Sequence, residues 1–232
     1  MREIADRGLL EAYMDKYELH QVFTPELTPY LSLISFDEGE LICAQGEPSH
    51  TMYVLVKGKI KIYNTSPEGR TLVISFKNPL EVIGDIEYIR TGDIINTVEA
   101  VSAVQAIAVE YRWVQKICGN HSPLLNFLLD IITKKFYMKS SSMSFNLLYP
   151  VEVRLASYLL SVSFDETDIL FRGELSTSDL VDAANLIGTS YRHVNRVLQK
   201  FTAQGLVERE RGRIRVTDQA GLRRLAERNI YE

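Results

Sequence analysis

The chain has 232 residues, 46% of them apolar, which is room and material for two buried cores. Its formal charge of −4 excludes a uniformly basic, nucleic-acid-coating protein, so any affinity for phosphate must come from cations gathered on one surface. Two cysteines, Cys43 and Cys118, are too few and too far apart for a disulfide framework, a zinc pattern or an iron–sulfur cluster held by one chain.

No charged-then-apolar leader opens the chain, and the most apolar helical stretch, Leu124 to Ile132, is short and interrupted by Asn126 and Asp130. A cytoplasmic protein without a membrane partner is expected. Apolar periodicity around Leu9 to Tyr17 and, after Pro25, over Leu27 to Ile34 predicts two short packing helices. From Leu41 to Val109 the texture turns to β-branched and alternating runs punctuated by glycines, and Ile60 and Ile62 alternate with Lys59 and Lys61 as in a strand with one wet face. With a hairpin turn at Pro67-Glu68-Gly69, these short strands predict a β sandwich or rolled barrel able to enclose a small ligand.

Ser122-Pro123 has the chemistry of a helix start, and the pattern then runs unbroken to Leu148. Leu125, Leu128 or Leu129, Ile132, Phe136 and Met143 recur at three- and four-residue steps, while Lys134, Lys135 and Lys139 stay solvated. A stripe of about 25 residues is roughly 37 Å long, more than a small barrel can cover, so this side is expected to pair with a second copy of the chain. Tyr149-Pro150 ends the helix, which divides the chain into a sensor region at 1–120, a dimerisation helix at 121–148 and a C-terminal domain at 149–232.

Within that last domain, DLVDAANLIGTSYRHVNRVLQKF reads as a helix-turn-helix: Ala184 allows close approach, Gly188 supplies the turn, and Val194 and Val197 anchor the second helix. Its other face carries Ser190, Tyr191, Arg192, Asn195, Arg196 and Lys200. Arginine pairs bidentately with guanine in the major groove, and a serine at a helix N-terminus meets phosphate. LVERERGRIRVTD then reads as strand, tight turn, strand, a β wing displaying Arg211 and Arg213. A closing helix capped by Asp218 is expected to turn Leu222, Leu225 and Ala226 inward and Arg223, Arg224 and Arg228 outward. Gly188 to Arg215 holds seven cations against Glu208 and Glu210, a net +5 that leaves −9 for the remainder, so charge is segregated as DNA binding requires.

An α+β chain built as β roll, long helix and winged helix-turn-helix, in that order, resembles the CRP/FNR superfamily of bacterial transcription regulators. The residues that carry the resemblance are EGELICAQGEPSHTMYVLVKGKIKIY, VIGDIEYI and IGTSYRHVNRVLQKF, and VIGDIEYI and GTSYRHVNRVL resemble its YeiL-like branch. The resemblance implies a cyclic-nucleotide-binding-like roll, base reading by Tyr191, Arg192 and Arg196, a phosphate contact from Ser190, a homodimer on a palindromic operator, and RNA polymerase as a partner if the protein activates. It also implies an effector pocket around Gly84, Asp85, Ile86, Ile94 and Ile95, with Lys135 and Lys139 from the long helix. Ile94 and Ile95 stand where cyclic-nucleotide-binding members carry an arginine-serine pair, and Asp85 replaces the usual glutamate, so cyclic AMP is not expected. Neither haem nor an iron–sulfur cluster is expected, and the effector is unknown.

His20, His50, His121 and His193 are scattered, and the acidic group Asp85, Glu87 and Asp93 pairs with no nucleophile, so no catalytic or metal-binding residues are assigned and the chain is not read as an enzyme. His193 sits within the recognition helix, in reach of DNA. Two other readings stay open: a small-molecule-binding barrel with an accessory helical module, and a DNA-binding dimer whose roll is filled by its own apolar side chains.

Overall fold

The computed structural model describes residues 1–69, 71–163, 174–176, 180–210 and 212–226. They form two units, Met1–Phe136 and Tyr137–Glu232, and the division falls inside the long helix rather than at either of its ends.

The first unit opens with β1 (Arg2–Ile4) and α1 (Arg7–Lys16), the latter capped by Asp6, whose carboxylate accepts the Leu9 N–H. After two 3₁₀ turns come β2 (Ser32–Phe36), β3 (Leu41–Cys43), β4 (Thr51–Lys57), β5 (Ile60–Thr65), β6 (Thr71–Lys77), β7 (Glu81–Ile83), α2 (Asp85–Arg90), β8 (Thr97–Ala100), β9 (Val104–Glu110) and α3 (Tyr111–Cys118). The helix α4 (Ser122–Leu148) begins at Ser122-Pro123 and ends before Tyr149-Pro150, as expected. Two antiparallel sheets, β1-β2-β9-β4-β7 and β3-β8-β5-β6, make the roll.

The five-stranded sheet is buried on both faces. Along β4, Met52, Val54 and Val56 join one core with α1, α3 and the first part of α4, while Leu55 joins a second core with Phe36, Ile60, Ile83 and Val98 between the sheets. This explains why 27–34 does not form the helix its apolar spacing suggests: Thr28–Tyr30 is a single 3₁₀ turn, and Ser32–Phe36 is a strand paired with β1 and β9. Leu33 turns to one core and Phe36 to the other, and a doubly buried strand has no period by which sequence can tell it from a buried helix. In β5, by contrast, Ile60 is fully buried, and Lys61 reaches Glu99 at 3.2 Å on the other face.

The second unit holds the end of α4, then α5 (Val151–Ser163), β10 (Glu174–Ser176), α6 (Leu180–Leu186), α7 (Tyr191–Ala203), β11 (Val207–Glu210), β12 (Arg213–Val216) and α8 (Gln219–Ala226). Its core joins Leu155, Leu159, Leu180, Ala184, Ile187, Val194, Val197, Leu198, Phe201, Ile214 and Leu222. The strands order as β10-β12-β11, and Asp218 caps α8 by accepting the Gly221 N–H at 2.8 Å. Leu225 departs from expectation: it is exposed, while Leu222 and Ala226, four apart, take the inward row. Arg211 and Arg228 lie outside the described residues. No helix among the described residues is long and apolar enough to cross a membrane.

Candidate nucleic-acid interface and candidate sensor site

The helix-turn-helix is built on Gly188, whose φ of +66° is open to glycine and strained for other residues. The Thr189 N–H reaches back to the Ala184 carbonyl at 2.9 Å, closing the end of α6, and Ser190 then caps α7, its Oγ accepting the His193 N–H at 3.2 Å. An Oγ that accepts from the helix still has its O–H to donate, so Ser190 keeps a proton for an incoming phosphate.

Along α7, Val194, Val197, Leu198 and Phe201 are buried, which leaves Ser190, Tyr191, Arg192, Arg196 and Lys200 exposed on the other side. Two of the expected contacts are partly engaged within the chain. Asn195 donates its amide to the Tyr191 carbonyl at 3.3 Å and accepts from Arg209 of β11 at 3.2 Å, so its side chain is oriented before any ligand arrives. Lys200 lies 3.8 Å from Glu152 of α5. His193 is half-buried, its Nδ1 3.4 Å from the Thr189 hydroxyl, so it supports the turn. Arg213 is exposed on the wing, and Arg211 lies outside the described residues. Arg209 was not singled out from sequence, because its approach to Asn195 depends on how the wing folds back onto α7.

In the first unit, Gly84 opens α2 at φ +87°, and a Cβ there would stand 2.5 Å from the Tyr111 hydroxyl and 2.8 Å from the Thr51 carbonyl, so only glycine fits. Burial pushes the Tyr111 hydroxyl up to about 12; it stays protonated, donates to the Gly84 carbonyl at 2.8 Å and pairs with Ser49 at 2.6 Å. Asp85 and Glu81 are both buried. Between them lies the ammonium of Lys135, 2.8 Å from Asp85, 3.1 Å from Glu81 and 2.6 Å from the Val82 carbonyl, with Lys77 at 3.4 Å from Glu81 on the far side. Burial pushes the Asp85 carboxyl above the ordinary aspartate value against the opposing pull of Lys135.

From the sequence Lys135 is expected at the pocket as a cation for a ligand; in the structure it is the partner of two carboxylates of its own chain. Glu81 was missed, since nothing in its sequence surroundings marks a buried acid at the start of a strand. Ile86, Ile94 and Ile95 are half-buried, and the Ile95 N–H donates to Glu87 at 2.9 Å, so a backbone donor at the expected anion site already holds a carboxylate. Lys139 is exposed and belongs to the other unit. Cys43 has its thiol pushed up to about 12, mainly by burial, which leaves it protonated and unreactive.

Of the residues expected to line a seam on α4, Leu125, Leu129, Phe136 and Met143 are exposed and Ile132 is half-exposed. Leu128 is corrected: at 1% exposure it packs in the first unit's own core, whereas Leu129 beside it is 64% exposed. Leu147 and Leu148 extend the exposed apolar row beyond the residues predicted.

Comparison with known proteins agrees with this layout. Residues 33–121 match the cyclic nucleotide-binding domain family, and residues 153–225 match the Crp-like helix-turn-helix domain family. The chain is 24% identical over 203 residues to a CRP-like cAMP-activated global transcriptional regulator of Mycobacterium tuberculosis, covering 86% of this chain and 90% of that protein. It is 25% identical over 194 residues to the regulatory protein YeiL of Escherichia coli O157:H7, covering 84% and 85%. In fold it is similar to a transcriptional regulator of the crp/fnr family from Eubacterium rectale, with a TM-score of 0.78 at 19% identity over 94% of this chain and all of that one.

Proposed function

Because the chain belongs to the CRP/FNR family of transcription regulators and carries a Crp-like DNA-binding helix-turn-helix, we propose that it acts as a homodimer on a palindromic operator in double-stranded DNA, with an effector other than cyclic AMP or none. The observation that carries this reading is the outward row Ser190, Tyr191, Arg192 and Arg196, opposite a buried row on the same helix. Arg192 and Arg196 are the base-reading candidates, Tyr191 adds an aromatic contact, and Ser190, with the N-terminal amides of α7, meets the backbone phosphate. Lys200 and Arg213 supply charge to the flanking backbone. The exposed α4 row from Leu125 to Leu147 supports pairing of two chains, which would set two recognition helices about 34 Å apart in successive major grooves.

The Mycobacterium relative is described as cAMP-activated, but the residues here favour a different signal. A cyclic phosphate approaching the Ile95 N–H would have to displace the Glu87 carboxylate, and the nearby ammonium of Lys135 is already spent on Asp85 and Glu81. A buried phosphate without charge-assisted partners costs several kcal/mol, on the order of the penalty for any buried unpaired ion. The same two contacts support the ligand-free form over one gated by an anion. If the protein activates transcription, RNA polymerase is its further partner.

The test is selection of genomic DNA fragments by the purified protein at two salt concentrations, with and without a metabolite extract. A palindrome bound with a steep salt slope is the expected result. Sharper binding in extract means a working sensor, equal binding in both means a ligand-free one, and no sequence preference in either overturns the proposal.

A further inference from the structure

The turn that aims the recognition helix is held from two other helices of the same unit. An α-helix ends with carbonyls that lack partners within the helix, and α6, only seven residues long, presents its last ones at the turn before α7. Asn146, near the end of α4, donates its side-chain amide to the Leu186 carbonyl at 3.1 Å. Arg154 of α5 donates its guanidinium to the Ile187 carbonyl and, at 3.5 Å, to that of Gly188. Three successive carbonyls are thus taken by two side chains, one neutral and one cationic.

Arg154 is only 8% exposed. Burying a guanidinium is costly unless its hydrogen bonds are met, and the negative end of a helix is where a cation repays that cost best. Exposed carbonyls at a surface turn could be served by water, which would leave the turn free to hinge. Side chains from α4 and α5 instead fix it to two helices.

Asn146 stands between Met143 and Leu147, which are 62% and 77% exposed, but is itself half-buried and turned toward α6. We propose that Asn146 and Arg154 are positioning residues that clamp the turn between α6 and α7 and so fix the pose of the recognition helix for specific DNA binding. This rests on the reading of α7 as the DNA-contacting helix. Arg154 sets the turn against the core of its own domain. Asn146 ties it to the end of α4 by its hydrogen bond to the Leu186 carbonyl.

The experiment uses the full chain, a duplex selected by the wild type and a scrambled duplex of the same length. Asn146→Leu keeps the size and charge of the side chain and removes the donor. It is expected to weaken specific binding about tenfold, the equivalent of one hydrogen bond of about 1.4 kcal/mol. Scrambled-duplex affinity should stay within about twofold, because the basic surface that supplies it is untouched. Arg154→Met should lose more, and Arg154→Lys, which still places a cation at the carbonyls, should recover part of it. Amide exchange at Gly188 and Thr189 is expected to accelerate in Asn146→Leu without DNA present, with the melting temperature lowered by no more than about 3–6 °C.

If Asn146→Leu keeps wild-type specific affinity and wild-type exchange at the turn, the clamp is wrong. If specific and scrambled binding fall together with the melting temperature, the two residues are merely structural and the proposal is overturned. A wild type with no sequence preference overturns the DNA-binding reading itself, a result distinct from a variant that retains the preference.

Discussion

Replacing Lys135 with methionine keeps the hydrocarbon stem and removes one charge from a buried group of four. The ammonium, at 15% side-chain exposure, is shared by Asp85 and Glu81, at 3% and 6%. Without it Glu81 keeps Lys77 at 3.4 Å, while Asp85 loses both hydrogen bonds from the ammonium. Breaking a buried ion pair by deleting one partner costs about 3–5 kcal/mol. Because Lys77 stays and Asp85 can take up a proton, the lower end applies, about 3 kcal/mol at neutral pH. For a chain of this size that is a fall in melting temperature of roughly 6–12 °C. Thermal unfolding followed by circular dichroism at pH 7 and pH 5 checks it. The gap between wild type and variant should narrow at pH 5, where Asp85 in the variant protonates more readily, and the double variant Lys135→Met/Asp85→Asn should recover more than half of the loss. A loss below about 1 kcal/mol, or a gap that widens in acid, would refute the view that Lys135 is committed to these carboxylates.

Three further outcomes are expected. Burial holds Asp85 above the ordinary aspartate value, so the native state binds its proton at a pH where the unfolded chain has already lost it. Its contribution to stability is therefore complete below about pH 3.9 and is lost as the pH rises through the native value, so the melting temperature of wild type relative to Asp85→Asn should fall from acid to neutral pH; a rise would contradict the sign. Phe136→Glu, at a side chain 72% exposed in the single chain, should leave the fold intact yet give monomers at micromolar concentration, and an unchanged dimer by sedimentation would remove α4 as the seam. Arg196→Ala should weaken specific DNA binding by about 1–3 kcal/mol and relax preference at one base pair if it reads guanine, whereas equal losses on all sequences, measured by competition binding, would make it a phosphate contact.

Features governed by neighbouring residues were legible in the sequence. The start of α4 at Ser122, its end before Tyr149-Pro150, the turn at Gly188, the capping of α8 and the two wing strands each follow from a local rule of capping, periodicity or turn geometry. The outward row of α7 was legible for the same reason, since a helix's 3.6-residue repeat assigns its faces once its buried side is known.

What the sequence could not assign depends on partners far along the chain. Periodicity allowed Leu128 or Leu129 on the exposed side of α4, and only packing against the roll decided that Leu128 goes in. The strand at Ser32–Phe36 looked helical because a sheet buried on both faces erases the alternation that marks a strand. Lys135 reads from sequence as a solvated cation, and only the fold brings it to Asp85 and Glu81, some 50 positions earlier; Asn146 and Arg154 carry no local signal, because the carbonyls they meet lie at the end of α6. Local sequence sets which elements form and which way their faces turn; which charges meet in the interior follows from burial, because a desolvated ion must find a partner wherever in the chain that partner lies.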